Sequence, residues 1–502
     1  MSSISSILDS HPGDRAAIIV PDGPTVTYGH LRNEVSRLAG LLTGAGVQPG
    51  RPVSIVLGND VEFMTTFLAV AGAGAVAAPL NPAYTAAEFE FFMEDADSQL
   101  AILHPSEHAS GAEHASREAA SKLGIKTADA WLDGETVKLS IAGRELTATG
   151  DPASPRTDAT ALFLHTSGTT SRPKGVPLTH GNLLASLRNI AETYGLTGTD
   201  VAMVVMPLFH VHGLIGVALS TLASGGTIVL PPRFSASSFW QIQRQTGATW
   251  YSGVPTIHKI LVDRADIDGA PTKSFRFIRS CSAPMSPAAI AAVEARFGAP
   301  FLEAYGMTEA SHQMSSNPMP PGDRRPGTAG AGTGVGVSIR DESGAELAPG
   351  QQGEVCVSGP NVTHGYANNP EANATAFWGE WFRTGDQGVL TVDGYLTLTG
   401  RLKELINRAG EKISPLEVDE ALLGHPAVAE AVSFAVPDPM YGECVHAAVV
   451  LSGEATEDDI KAFCAEKLAP FKVPDAIYIA QELPRTATGK IQRRHVAAKF
   501  AG

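Results

Sequence analysis

Helix-like and strand-like segments alternate along the first 280 residues of this 502-residue chain. Apolar side chains recur at helical spacing over residues 31–42, and the strand-like run 52–57 follows two glycines. A second helical pattern at 62–71 precedes the apolar run 75–79. Chains that alternate in this way fold into layered α/β structure with largely parallel sheets. We therefore predict an α/β fold.

The pattern changes after about residue 330. Short alternating segments such as 353–357 predict antiparallel hairpins or a small β-barrel-like part. From about residue 400, two helices and two strands predict a smaller α+β unit. We therefore predict a large N-terminal domain of layered α/β subdomains over residues 1–400, and a small C-terminal domain over 401–502.

Composition excludes several classes of function. A net charge of −15 argues against nucleic acid and anionic membranes as partners, because both call for a basic surface. The four cysteines are widely scattered and show no metal-ligand spacing, which favours a reducing compartment. The N-terminus does not resemble a secretory signal, and the C-terminus is not a peroxisomal address. We expect a cytoplasmic protein.

Residues 165–176 combine hydroxyls, glycines and one lysine directly after the apolar run 161–164. Glycine backbone N–H groups and hydroxyls can line an anion site, and the lysine adds charge. The Walker A spacing is absent, and a polar surface turn is the alternative. The predicted phosphate-binding residues are Thr166, Ser167, Gly168, Thr169, Thr170 and Lys174.

Four further motifs follow in order. They are Tyr-Gly-Met-Thr-Glu at 305–309, Trp-Phe-Arg-Thr-Gly-Asp at 381–386, Gly-Arg-Leu-Lys-Glu at 400–404 with Gly-Glu-Lys at 410–412, and Pro-Arg-Thr-Ala-Thr-Gly-Lys at 484–490. Together with the phosphate loop they resemble the signature motifs of adenylate-forming enzymes, the family of acyl-CoA synthetases, luciferases and peptide-synthetase adenylation domains. The resemblance implies an ATP- and Mg²⁺-dependent ligase that forms an acyl-AMP and then a coenzyme A thioester.

The resemblance also implies roles for single residues. Lys490 bridges the attacking carboxylate and the α-phosphate, Thr308 places a hydroxyl near that phosphate, and Glu309 holds Mg²⁺. Asp386 accepts the ribose hydroxyls beside Arg401, although a mutual surface salt bridge is the alternative. The segments predicted to enclose adenine are Ser282, Ala283 and Pro284, and Glu303, Ala304 and Tyr305, with Tyr305 stacked on the ring or buried in the core. Gly306 and Met307 are also predicted to bind ATP or AMP.

Lys403 matches the hinge about which the small domain of these enzymes turns between the two half-reactions. The resemblance therefore implies that the C-terminal domain is mobile. The loop carrying Gly410, Glu411 and Lys412 would then enter the site beside coenzyme A.

The acid pocket is predicted to be polar, with His210, Ser280, Ser282 and His312 at its positions. A short dicarboxylate would need such groups, because its second carboxylate cannot be desolvated without donors or cations. His210 is also a catalytic candidate, since it could instead pack against the reacting carboxylate. A structural role is the alternative for His312.

Segments 164–174, 277–282 and 314–318 are similar to those of oxalate–CoA ligases of plants and fungi, apart from Gly306 in place of alanine. This resemblance implies conversion of oxalate, ATP and CoA to oxalyl-CoA, AMP and diphosphate. The alternatives are a ligase for malonate or an aromatic acid such as 4-coumarate, a peptide-synthetase module, a luciferase, and a non-catalytic AMP-binding sensor. The expected partners are small molecules, and the expected state is a monomer or homodimer.

Overall fold

A computed structural model describes residues 3–105, 111–166, 173–271, 275–485 and 491–501. The chain divides into two compact units. The first comprises Met1–Pro326, Gly330–Gly336 and Ser358–Glu380, and the second comprises Gly327–Ala329, Val337–Val357 and Trp381–Gly502. The α/β fold class is confirmed. The domain boundary at 400/401 stays a prediction.

The strands and helices are numbered along the chain. The strands are β1 (Ala16–Ile19), β2 (Thr25–Thr27), β3 (Pro52–Val56), β4 (Val76–Pro79), β5 (Leu100–Leu103), β6 (Lys126–Asp133), β7 (Thr136–Ile141), β8 (Arg144–Glu145), β9 (Thr160–Thr166), β10 (Lys174–Thr179), β11 (Val201–Met203), β12 (Thr227–Val229), β13 (Trp250–Gly253), β14 (Phe277–Ser280), β15 (Phe301–Met307), β16 (His312–Ser316), β17 (Ala331–Gly332), β18 (Gly336–Arg340), β19 (Gln352–Ser358), β20 (Phe377–Trp378), β21 (Trp381–Leu390), β22 (Leu396–Arg401), β23 (Ile406–Arg408), β24 (Glu411–Ile413), β25 (Val428–Asp438), β26 (Gly442–Leu451) and β27 (Ala476–Ala480). The helices are α1 (Tyr28–Gly44), α2 (Val61–Gly72), α3 (Ala86–Asp95), α4 (Gly111–Lys122), α5 (His180–Tyr194), α6 (Val211–Gly213), α7 (Ser220–Ala223), α8 (Ala236–Thr246), α9 (Pro255–Asp263), α10 (Pro287–Phe297), α11 (Pro370–Thr375), α12 (Pro415–Leu423), α13 (Glu457–Ala465) and α14 (Arg493–Phe500).

The first unit contains two large mixed sheets. One has the strand order β10-β9-β4-β3-β5-β6-β7-β8 and is parallel from β9 to β6. The other has the order β17-β16-β15-β14-β13-β11-β12-β1-β2 and is parallel from β15 to β1. Parallel strands are covered on both faces, which explains why β3 and β4 are apolar at nearly every position and why all four residues of β14 are buried. Helix α5 contacts β9 and β10 of one sheet and β16 of the other.

The second unit contains the antiparallel strands β18, β19, β21 and β22 in adjacent pairs, as the alternating pattern predicts. A further sheet has the order β24-β23-β26-β25, with β27 parallel to β26. Helices α12 and α13 supply apolar side chains to the core of this sheet. Across the described ranges, none of the helices combines the length and the hydropathy needed to span a bilayer.

Two fully buried histidines stabilise the first unit in their neutral form. The Nδ1 atom of His180 accepts a hydrogen bond of 3.0 Å from the backbone N–H of Ile4, which joins α5 to the N-terminal segment. Burial lowers the pKa of His180 to about 4 and that of His258 to about 3. An unfolded histidine titrates near pH 6.5, so between about pH 6.5 and these pKa values only the unfolded chain binds the proton. Folding stability therefore rises with pH in that window and is lost as the pH falls through it.

We expect the His180→Asn variant to lose less stability than the wild type as the pH falls from 6.5 to 4. The amide oxygen can accept from Ile4 but does not titrate. Urea unfolding midpoints across this range measure the effect, with the exposed His114→Asn as the matched control. Parallel pH profiles for His180→Asn and wild type would contradict the assignment.

Candidate active site

The two segments predicted to enclose adenine lie at neighbouring strand ends. Residues 282–284 begin one residue beyond the end of β14, and residues 303–305 lie in the middle of β15, before the predicted nucleotide-binding Gly306 and Met307. The strands are parallel, with Ser280 opposite Glu303. Ligands of open α/β sheets bind outside the carboxyl ends of the strands. The structure thus brings both segments to one edge, although adenine binding itself stays a prediction.

Two members of the predicted phosphate loop face each other. Thr166 ends β9, Lys174 begins β10, and the two residues are cross-strand partners in an antiparallel pair. The strands β9 and β10 that flank the predicted phosphate loop therefore form an antiparallel pair. The predicted phosphate residues Ser167, Gly168, Thr169 and Thr170 lie outside the described residues, as does the predicted catalytic Lys490.

Tyr366 contacts both Lys174 of the predicted phosphate loop and Glu309, the predicted Mg²⁺ ligand. Its hydroxyl donates a hydrogen bond of 2.9 Å to Oε1 of the buried Glu309, and the Lys174 Nζ lies 4.3 Å from the centre of its ring. Burial and the Glu309 carboxylate raise the pKa of Tyr366, so the phenol stays protonated and donates. Glu309 follows Thr308 in a 3-10 helix, Thr308–Ala310. One carboxylate beside groups predicted to bind phosphate fits Mg²⁺, which binds proteins through one or two carboxylates plus substrate phosphates.

Asp386 and Arg401 form an ion pair in the second unit. They are opposite each other on β21 and β22, and Arg401 Nε donates to Asp386 Oδ1 at 2.7 Å. The Asp386 side chain is 11% exposed, so the pair is not a solvated surface bridge at the carboxylate. That these two residues bind the ribose of the nucleotide stays a prediction.

The residues predicted for the hinge and for coenzyme A also lie in the second unit. Lys403 belongs to a 3-10 helix, Leu402–Glu404. Ala409 and Gly410 connect β23 and β24 with φ values of +52° and +93°, which is the geometry of a tight hairpin turn. Glu411 and Lys412 begin β24, exposed to solvent. Their roles stay predictions.

Three histidines and a serine meet in the first unit at the predicted acid pocket. The rings of His212 and His312 stack at 5.2 Å, and Nδ1 of His212 lies 3.2 Å from the Ser282 hydroxyl. His210 precedes α6, and its Nδ1 accepts from the backbone N–H of His212. Burial lowers the pKa of both His212 and His312 far below the ordinary value, and Arg279 lowers both further. Both rings are therefore neutral at physiological pH.

The backbone is strained where this pocket forms. Ser282 has a φ of +77°, and His312 has a φ of +91°. Non-glycine residues in this region cost roughly 1–3 kcal/mol each and concentrate at functional sites. A Cβ added to Gly306 would lie 1.9 Å from the carbonyl oxygen of His312, so this backbone path requires glycine at 306.

Ser280 differs from the other predicted acid residues. Side chains alternate along a strand, so Ser280 and Arg279 lie on opposite faces of the sheet. The Ser280 hydroxyl is buried and has no hydrogen-bond partner among the residues that the structure describes. Its predicted contact with the acid stays a prediction.

The sequence-based assignment missed three contributors to the site: Arg279, His212 and Tyr366. An arginine after the apolar pair Phe277-Ile278 of the buried strand β14 was a detectable signal, because a charged residue rarely occupies a fully buried strand position without a partner. His212 was visible in the His-Val-His-Gly segment. Tyr366 was not detectable, because only the fold brings it to Glu309.

The groups predicted to bind phosphate and the acid lie at strand ends of a layered α/β fold, which is where ligands of open α/β sheets bind. The chain belongs to the family of AMP-binding enzymes. The AMP-binding enzyme model matches residues 7–367, and the AMP-binding enzyme C-terminal domain model matches 417–490.

Individual proteins with similar sequences or structures agree with this family assignment. The oxalate–CoA ligase of Arabidopsis thaliana is 50% identical over 97% of this chain and 96% of its own length. The oxalate–CoA ligase of Saccharomyces cerevisiae is 44% identical over 97% and 95%. Among solved structures, ATP-bound MatB from Rhodopseudomonas palustris superposes with a TM-score of 0.88 at 30% identity, covering 100% of this chain and 99% of that one. The prediction of the adenylate-forming family is confirmed.

Gly216 allows His312 to occupy the pocket. It lies in a π-helix, Leu214–Leu219, between α6 and α7, and a Cβ at this position would lie 2.4 Å from His312 Nε2. We expect Gly216→Ala to displace the ring and raise the KM for the acid by roughly ten- to a hundredfold, with the KM for ATP unchanged. Gly72→Ala is the matched control, because a Cβ there meets its nearest atom at 3.5 Å. An unchanged acid KM in Gly216→Ala would show that the ring is not part of the acid site.

Proposed function

We propose that the protein is an ATP-dependent acid–CoA ligase of the AMP-forming type and that oxalate is its acid. The observation that carries the choice of acid is the cluster of His210, Ser282 and His312 beside the end of β15. Two of the relatives, at 50% and 44% identity, are oxalate–CoA ligases, which supports the same assignment.

The reaction takes place in two steps. A carboxylate oxygen of oxalate attacks the α-phosphorus of ATP, diphosphate leaves, and oxalyl-AMP forms. The thiol sulfur of coenzyme A then attacks the acyl carbon and loses its proton, and AMP leaves with the pair of electrons from the acyl–oxygen bond. Negative charge develops on phosphate oxygens in the first step, so cationic groups and donors there lower the barrier.

Several residues are proposed to serve the first step. Lys490 would bridge the carboxylate and the α-phosphate, Thr308 would donate to that phosphate, and Lys174 would bind the outer phosphates. When bound, Mg²⁺ would supply a positive charge against the phosphates, and Glu309 would hold it. Tyr366 would orient Glu309, since its hydroxyl donates to one carboxylate oxygen.

The far carboxylate of oxalate sets the requirement for the acid pocket. A carboxylate loses several hydrogen bonds to water on entering a buried site, and it accepts but cannot donate. His210, Ser282 and His312 are proposed to replace those hydrogen bonds. An apolar pocket of the kind suited to 4-coumarate would leave this charge unsatisfied.

The C-terminal residues are proposed to serve the second step. Lys403 would act as the hinge of a 401–502 domain, and the turn at Gly410 with Glu411 and Lys412 would approach the pantetheine arm. Gly410 suits close approach of the pantetheine arm to the backbone, since it has no side chain. The space beside its Cα is open, because a Cβ there would have nothing within 4 Å in the described structure.

The four cysteines are buried free thiols, which supports a reducing compartment such as the cytoplasm. We propose small molecules as the partners and a monomer or homodimer as the state in solution.

The ligase assignment predicts exchange of radiolabelled diphosphate into ATP when oxalate is present and coenzyme A is absent. Lys490→Ala should slow this exchange by several orders of magnitude, because it removes a charge needed mainly in the transition state. Release of AMP from preformed oxalyl-AMP by coenzyme A should survive in the variant. Accumulation of ADP, or exchange only when coenzyme A is added, would contradict an acyl-AMP mechanism and favour another reaction or an AMP-binding sensor.

Oxalate should have the highest kcat/KM in a panel of oxalate, malonate, acetate and 4-coumarate. His312→Ala should lower kcat/KM for oxalate by roughly one to two powers of ten, the value of one hydrogen bond to a charged group. The KM for ATP should stay within twofold. Preference for another acid in the wild type would refute the oxalate assignment and leave the ligase assignment intact.

A further inference from the structure

Arg279 is the only fully buried lysine or arginine among the described residues. Its guanidinium donates to the Tyr194 hydroxyl at 2.8 Å, Ser252 Oγ at 3.1 Å, His312 Nε2 at 2.8 Å and Gln313 Oε1 at 3.1 Å. All four partners are neutral side chains, and no carboxylate within the described ranges pairs with it. A buried charge without a counter-ion is costly, so its retention requires a physical reason.

The contact with His312 decides which ring nitrogen carries the proton. A guanidinium has five N–H donors and no acceptor, so Nε2 of the neutral His312 must accept. The proton therefore resides on Nδ1. In the described part of the chain Nδ1 has no hydrogen-bond partner. His312 thus presents an N–H donor from the side of its ring that faces away from Arg279.

A second chain of hydrogen bonds leads from Arg279 to Ser282. Ser252 Oγ accepts from Arg279, and its O–H can then satisfy Nε2 of His212 at 2.7 Å. With Nε2 accepting, the neutral His212 carries its proton on Nδ1 and donates to Ser282 Oγ at 3.2 Å. The Ser282 oxygen is then an acceptor toward His212, and its own O–H is directed elsewhere.

We propose that Arg279 is a positioning residue that fixes the protonation pattern of the acid pocket, so that His312 Nδ1 and Ser282 Oγ are both donors toward the far group of the acid. The inference rests on the proposed function and adds to it. The pocket accepts a far carboxylate, which only accepts hydrogen bonds. The pocket rejects an acid whose far group has the same size but must donate a hydrogen bond. Arg279 also adds a long-range attraction for an anion in the same buried region.

Oxamate tests this pattern because it replaces one carboxylate of oxalate by an amide, whose NH₂ cannot accept. The wild type should prefer oxalate to oxamate in kcat/KM by on the order of a hundredfold, since a donor facing a donor leaves both unsatisfied. In Arg279→Met the two histidines can take the other tautomer. The oxalate:oxamate ratio should fall to about a tenth of its wild-type value or less, chiefly through KM for oxalate.

Two controls accompany this variant. Arg276 immediately precedes β14 and forms an ion pair with Asp200. The Arg276→Lys variant keeps a cation for this pair and should leave the oxalate:oxamate ratio unchanged. Ser252→Ala interrupts only the chain to His212 and Ser282, and it leaves the contact between Arg279 and His312. It should lower the ratio by a smaller factor, and it keeps the inference testable if Arg279→Met does not fold.

Equal loss of oxalate and oxamate activity in both Arg279→Met and Ser252→Ala would overturn the inference, because a purely structural role lowers both alike. A second measurement does not depend on oxalate. In ¹⁵N-histidine-labelled protein, the resonances lost in His312→Gln should report an Nδ1–H tautomer in the wild type and not in Arg279→Met. If the wild type fails to use oxalate but shows this tautomer, the proposed function fails and the positioning role stands. An Nε2–H tautomer in the wild type refutes the positioning role directly.

Discussion

The site depends on one buried guanidinium that is surrounded by neutral acceptors. The partners of Arg279 come from α5, β13 and β16, so the hydrogen bonds connect three elements to β14 at a single point. Charge-assisted hydrogen bonds are stronger than neutral ones, but they do not remove the cost of the charge itself. An anion bound nearby removes part of the cost of burying this charge. The same feature therefore connects the elements around the predicted acid pocket and, in the proposed function, favours an acid with a second negative charge.

Much of the fold could be predicted from the sequence because its signals are local. The apolar pattern at 62–71 corresponds to α2 (Val61–Gly72), and the run 353–357 lies within β19 (Gln352–Ser358). The phosphate segment was recognised from its composition, yet its place between two antiparallel strands was not. That depends on pairing between Thr166 and Lys174 across the loop, which composition does not report.

The hydrogen-bond network of the site could not be predicted from the sequence, for the same reason. His312 and Ser282 were predicted singly, whereas their protonation depends on Arg279 and Ser252, which reach them through sheet register and side-chain direction. Tyr366 lies 57 residues from Glu309 along the chain. No motif relates such positions, and only the packed structure shows that they act together.

The strain in the pocket follows from the same requirement. His312 must approach Arg279 and leave Nδ1 available, and its φ of +91° is the backbone conformation that accompanies this placement. The π-helix places Gly216 against the same edge of the ring, next to Nε2. A site for a large apolar acid would gain nothing from so narrow an approach, because it would need volume rather than fixed donors. In the proposed function, the strained backbone would serve to hold a small anion by a few fixed hydrogen bonds.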